Sequence, residues 1–208
     1  MTTRSLIGTL LVLAFVIAGP ASARGPNGPS SPAAQPQAQQ PAITLSAEES
    51  EALLWMREEE KLARDVYLKL HKRWKKPVFQ RIAASEQRHF DALGAKIDLY
   101  GLTDPALPAR GEFTNTELQA LYDQLVASGN PSYVAALTVG ATIEDMDILD
   151  LQQAIEGTDD AALRTTYQNL LEGSKNHLRA FVGQLRSVGA DYTPQYVDPL
   201  LFDAIVGV

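Results

Sequence analysis

Apolar residues recur three and four positions apart along four separate stretches of the chain, the spacing of helices that each bury one face. In the first stretch the line is Leu53, Met56, Glu60, Ala63, Tyr67, Leu70 and Trp74, inside "TLSAEESEALLWMREEEKLARDVYLKLHKRW", which contains no proline or glycine. Ser46 stands three residues before Glu49, a capping-box spacing, so one long helix is predicted from there to Trp74. After the break at "KKP", Phe79, Ile82, Glu86, His89 and Leu93 repeat the spacing, with Ile97 beside the line and Gly101 closing a second helix. A loop rich in Gly and Pro, "GLTDPALPARGEF", precedes a short helix from about Asn115 to Ala127, and "GNP" signals a turn.

A third long helix is predicted from Ser132, with Leu137, Gly140, Glu144, Asp147, Leu151 and Ala154 on its apolar line. "EGTDD" ends it and offers Thr158 or Asp159 as the next N-cap. The fourth line is Leu163, Tyr167, Leu170, Ser174, His177, Phe181 and Val188, stopped by "SVGAD". The tail is too short and too broken by proline for a further long helix, although Leu200, Leu201, Phe202 and Ile205 are expected to pack. The pattern therefore predicts an all-α four-helix bundle with an additional short helix in the crossover between helices 2 and 3.

Each of the four lines is interrupted at mid-length by polar residues. A carboxylate or imidazole facing a core costs several kcal/mol unless something compensates it. In a bundle, polar residues at one height converge, which would bring together Glu60, Glu86, His89, Glu144, Asp147 and His177. Four carboxylates and two imidazoles are the ligand set of two adjacent divalent ions, with carboxylates bridging and one His on each. Without metal, some of the carboxyls should hold protons.

Taken singly, each residue has a plainer reading. Glu-x-x-His on a helix usually marks a solvated face, and Glu60 could pair with Arg64 four residues on. Glu59 lies near the same face, which leaves open whether it or Glu60 is the ligand. Asp147 could bond locally, and His177 could be a satisfied core histidine. Tyr67 reads as core, or as a hydrogen-bond donor or radical sink just outside the ligands. His71, among lysines, reads as surface, and Trp55, Met56 and Trp74 as packing.

Composition narrows the function. The chain has 208 residues, 45% hydrophobic and 21% charged, enough for one domain with a real core. A net charge of -7 argues against nucleic acid as a partner, and the one basic cluster, "KLHKRWKK", falls near a helix end where cations suit the macrodipole. There is no cysteine, so a metal site must use His, Asp and Glu, which favours iron, manganese or zinc.

The first residues carry Arg4, an apolar run from Leu6 to Ala18 and the small-residue pattern Ala21-Ser22-Ala23. They predict a cleavable signal peptide at 1–23, with no stable membrane anchor after cleavage, because the run is shorter than the roughly 20 residues of a spanning helix. Residues 24–43, rich in Pro and Gln, are expected to be a disordered linker, and the domain to occupy 44–208. Export to the periplasm or the extracellular space follows.

"EKLARDVY" resembles the first-helix pattern of the ferritin-like superfamily through Glu60, Ala63 and Tyr67, and "EQRHFDAL" resembles its second-helix Glu-x-x-His through Glu86 and His89. More closely, "MREEEKLARDVY", "SEQRHF", "IEDMDILDL" and "GSKNHLRAFV" resemble an uncharacterised family of bacterial and archaeal ferritin-like domains, over about residues 46 to 190. The superfamily pattern implies Glu144 as third-helix ligand and a second Glu-x-x-His on the fourth helix. Here that motif reads Ser174-x-x-His177, with Asp147 as the residue able to restore the missing carboxylate.

The resemblance implies a ferroxidase or related oxidase holding two iron ions and using oxygen or peroxide, with manganese as the alternative metal and a manganese catalase-type site as a further reading. A metal-binding or scaffold domain without turnover is the alternative from another class. Ferritin-like folds range from dimers to cages; the linker and the extra helix point away from a cage and leave a homodimer to be tested.

Overall fold

The computed structural model describes residues 44–207 and contains, among them, six helices and no strand. The predicted signal peptide and linker, and Val208, lie outside the described residues. The helices are α1 (Ala47–Trp74), α2 (Pro77–Leu99), α3 (Thr116–Gly129), α4 (Tyr133–Gly157), α5 (Ala161–Ser187) and α6 (Pro199–Val206). Among the described residues no helix is long and apolar enough to cross a membrane.

Helix boundaries follow local chemistry. Ser46 Oγ accepts from Glu49 N at 3.1 Å, and Glu49 Oε2 accepts from Ser46 N at 2.8 Å, the reciprocal capping box that starts α1. Lys75, in the left-handed region at φ 56, ends it by donating its backbone N–H to His71 O, and Pro77 opens α2 at a position where no N–H is needed. Asn115 and Ser132 cap α3 and α4.

The cap of α5 is Asp160 rather than Thr158 or Asp159, with Leu163 N donating to Asp160 Oδ1 at 2.7 Å. Thr158 is taken elsewhere: its hydroxyl donates to Glu49 Oε1 at 2.7 Å, and Asp159 N donates to the same oxygen at 2.9 Å. Glu49 thus completes the cap of α1 and ties the α4–α5 turn to it. Hydrogen bonds from Ser46 and then Thr158 outweigh its slight burial and hold its carboxyl at about 2.

The long helices form two hairpins, α1 with α2 and α4 with α5, and the hairpins meet through α1 on α4 and α2 on α5. α3 rests on α1 and α4, and α6 rests on α5. The apolar interior falls into two clusters. One contains Leu62, Tyr67, Phe79, Leu137 and Phe181, the other Leu53, Met56, Leu93, Leu151 and Leu163. Each fully buried large side chain contributes roughly 1.5–3 kcal/mol, so both clusters hold the helices in register. Each long helix passes from one cluster to the other through its polar residues, which fixes the level of the site.

Two packing expectations are corrected. Val188 is 46% exposed because it lies just past the last residue of α5. In the tail, Phe202 and Ile205 are buried but Leu200 is 79% exposed, because α6 lays only one face on α5.

The outer face of α1 is also buried, although it is charged. Lys61 Nζ donates to Asp65 Oδ2 at 2.8 Å and to the carbonyls of Ala109 and Glu112, while Gly111 N donates to the same Asp65 oxygen. Glu58 accepts from Thr114 N and Asn115 N, and Arg57 reaches Asp104 and Phe90 O. These side chains fasten the α2–α3 crossover along α1, satisfying backbone groups that the loop itself leaves open.

Candidate metal centre

At the level between the two clusters, α1 supplies Glu60, α2 supplies Glu86 and His89, α4 supplies Glu144 and Asp147, and α5 supplies Ser174 and His177. Glu86 and His89, three residues apart, share one face of α2. Glu86 Oε2 lies 2.9 Å from His89 Nδ1, and Glu86 Oε1 lies 2.8 Å from His177 Nδ1. Glu60 Oε2 is 3.4 Å from His89 Nδ1, and Glu144 Oε2 is 3.4 Å from His177 Nδ1. The imidazole rings stack with centroids 5.5 Å apart.

Two groups result, Glu60 with Glu86 and His89, and Glu86 with Glu144 and His177; within each, one ligand atom per residue lies within 4.8 Å of the others. Each group could hold a metal ion, and Glu86 belongs to both. The short contacts are not hydrogen bonds: Glu86 Oε1, His89 Nδ1 and His177 Nδ1 are buried without an aligned partner, as are Glu60 Oε1 and Asp147 Oδ1. Ring nitrogens and carboxylate oxygens converge on shared space instead of aiming protons at one another, and buried polar atoms left in this way need a compensating ligand. The donor set, imidazole and carboxylate without thiolate, suits a first-row divalent ion.

Electrostatics fit the same picture. Burial pushes Glu60 up to about 7 against the attraction of His89, and burial with repulsion from Glu86 pushes Glu144 up to about 7. Burial would raise Glu86 as well, but the imidazoles of His177 and His89 win and hold it at about 2. Burial opposes the charged form of both histidines, yet Glu60 raises His89 to about 11 and Glu144 raises His177 to about 10, each helped by Glu86. Protonated imidazoles therefore stand where cations are favoured.

Asp147 is buried at this level without joining either group. Its Oδ2 accepts from Ser174 Oγ at 2.5 Å, and burial, with Glu60 and Glu144 nearby, raises its pKa well above the usual range. Tyr67 is fully buried and donates its hydroxyl to Glu144 Oε1 at 2.5 Å, which places it beside the second group. His71 lies away from the centre, against Lys76 O.

Glu59 is 1% exposed and faces α4, where burial and then the charges of Asp147 and Asp150 raise its pKa well above normal. It belongs to neither metal-competent group; Glu60 does. A residue that the pattern did not flag is Gly173: a Cβ there would sit 2.5 Å from His89 Nε2, so the His89 ring fits only against a bare α5 backbone. A glycine one residue before the polar step at Ser174 was its only trace in the sequence.

Residues 49–208 match the family described as an uncharacterised protein domain, DUF2202. The chain belongs to that family. It is similar to the uncharacterised protein MJ0754 of Methanocaldococcus jannaschii, with 47% identity over 167 residues, covering 80% of this chain and 90% of the relative. The crystal structure of hypothetical protein MJ0754 from Methanococcus jannaschii superposes on it with a TM-score of 0.79 and 46% identity, covering 82% of this chain and 98% of that one.

Proposed function

We propose that this DUF2202 protein is an exported, ferritin-like four-helix bundle that holds two iron ions between its hairpins and oxidises Fe(II). Glu60 and His89 would hold one ion, Glu144 and His177 the other, and Glu86 would bridge them. The observation that carries the reading is Glu86, whose two oxygens face two different histidines and which is common to both metal-competent groups. Manganese is the alternative occupant, since it takes the same nitrogen and oxygen ligands.

With Fe(II) as substrate, two ions each give up one electron, and dioxygen takes both electrons and two protons to leave hydrogen peroxide. The protein's own part is to fix the ligands, keep bulk water out between two apolar clusters, and hold protons nearby on Tyr67 and Asp147. Elemental analysis of the mature, chelator-free protein should find about two iron or manganese per chain, as expected for paired carboxylate-histidine ligands. No metal, even after anaerobic Fe(II) loading, would sink the proposal.

Binding without turnover is the second reading, and Ser174 favours it. The serine hydroxyl occupies Asp147 Oδ2, so the fourth carboxylate is turned to α5 instead of joining a group. Repeated oxygen consumption with added Fe(II) separates the two, because a metal buffer binds the ion and consumes none.

A further inference from the structure

The basic cluster at the end of α1 continues into a groove that the metal centre does not use. It runs between the start of α2 and the last turns of α5, with a volume of about 840 Å³. Lys76, Arg81 and Arg179 line it, and no Asp or Glu does. Among the described residues none of the three pairs with a carboxylate. The rest of the lining is largely apolar, with Val78, Ile82, Tyr133 and the exposed Val188. A Cβ at Gly183, also in the lining, would meet nothing beyond its own helix within 4 Å, so α5 leaves the groove open there.

Beside the groove, α6 offers the opposite surface. Its Phe202 and Ile205 are buried against α5, which leaves Leu200, Asp203 and Ala204 exposed. Leu200 is the barest of the large apolar side chains among the described residues, and Asp203, three positions on, shares its face. Neither Asp203 nor Asp198, which caps α6, has a cation partner among the described residues. α6 cannot fill the groove of its own chain, because its inner face is already spent on α5 and Arg179 Nε donates to its Ile205 O at 2.7 Å.

We propose that two copies of this chain pair about a two-fold axis, each laying the outer face of α6 into the α2–α5 groove of the other. Leu200 then covers Val78, Ile82 and Val188, and Asp203 and Asp198 meet Arg81 and Lys76. A second copy is the occupant that fits, since the groove is apolar with cations alone and the outer face of α6 is apolar with acids alone. Arg179 lines the groove and also bonds α6, so the two surfaces lie side by side and one axis makes the contact twice. At 0.1 M salt charges are screened beyond about 10 Å, so these local charges outweigh the repulsion expected from a net charge of -7. The pairing does not depend on the reading of the metal centre.

The test is sedimentation velocity of the full chain over a range of concentrations, in low and high salt. Wild type should be a dimer that weakens as salt is raised. Leu200→Asp and Arg81→Glu change exposed side chains, and each should give a monomer whose helicity by circular dichroism is that of wild type. Arg81→Glu combined with Asp203→Arg should recover the dimer, because the ion pair returns with its signs exchanged. A wild type that stays monomeric, or a dimer that survives both single changes, would overturn the pairing. A monomeric wild type that sediments with vesicles of anionic lipid, and loses them in Arg81→Glu, would overturn it too and give the groove to a membrane surface.

Discussion

Glu86 Oε1 lies 2.8 Å from His177 Nδ1, which joins α2 to α5 across the interface between hairpins, while Oε2 of the same carboxylate faces His89 on its own helix. One side chain therefore serves two metal-competent groups. No other residue at this level does so.

That asymmetry makes the first prediction. Glu86→Ala should abolish both tight equivalents of Fe(II) or Mn(II), whereas His89→Ala or His177→Ala should each weaken one and spare the other. Anaerobic titration with helicity as the control distinguishes these patterns, and equal losses in all three variants would contradict a bridging role.

Gly173 allows binding to be separated from stability. Gly173→Ala places a methyl 2.5 Å from His89 Nε2, so the ring must turn away from Glu60 and Glu86. Alanine in a helix interior gains up to about 1 kcal/mol over glycine, which offsets part of the strain. The variant should keep near-native thermal stability while one of the two ions binds about 10- to 100-fold more weakly, the usual effect of disturbing a ligand's support. Calorimetric titration beside a thermal melt reads both.

Metal loading should release protons. In the metal-free protein His89, at about 11, and His177, at about 10, are protonated at neutral pH, and a metal-bound imidazole must be neutral. Loading both ions near pH 7 therefore expels about two protons from the histidines, and affinity should rise as pH increases from 6 to 8. An indicator dye in weak buffer measures the release directly. The metal-free fold has the opposite trend: its folded histidine pKa values are raised, so their stabilisation is complete below about 6.5 and is lost as pH climbs through 10 to 11.

The crossover supplies a stability prediction that leaves the centre untouched. Lys61→Ala removes one of the two cations on the Asp65 carboxylate, the other being Arg64, and strips two loop carbonyls of their donor. Asp65 keeps Arg64 on Oδ1 and the Gly111 N–H on Oδ2, so the cost is that of buried acceptors left without a donor, about 1–3 kcal/mol, and urea denaturation should show a loss of that order. Residues 109–115 should also exchange their amide hydrogens faster.

Much of this architecture was legible because side-chain period and capping chemistry are local. The Ser46–Glu49 box and the lines through Glu60, Glu86, Glu144 and His177 could be read residue by residue. What local pattern could not give is the use made of a charge by a distant segment. Arg57, Glu58, Lys61 and Asp65 look like a solvated face until the crossover is laid on them. Asp145 looks equally exposed, yet it is buried and accepts from Tyr192 Oη and from the backbone N–H groups of Gln195, Tyr196 and Val197. Thr158 lost the capping role to Asp160 for the same reason, because Glu49, far away in sequence, claims its hydroxyl.

The division into two hairpins bears on how the molecule is held together. α1 and α2 carry Glu60, Glu86 and His89, while α4 and α5 carry Glu144 and His177, so the contact of Glu86 with His177 exists only when the hairpins have docked. Any cation held there would act as a clasp between them, strengthening assembly in proportion to its own concentration. A chain without cysteine would then have a crosslink of another kind, closed by metal and opened by acid or a chelator, with its strength set by the metal supply around it.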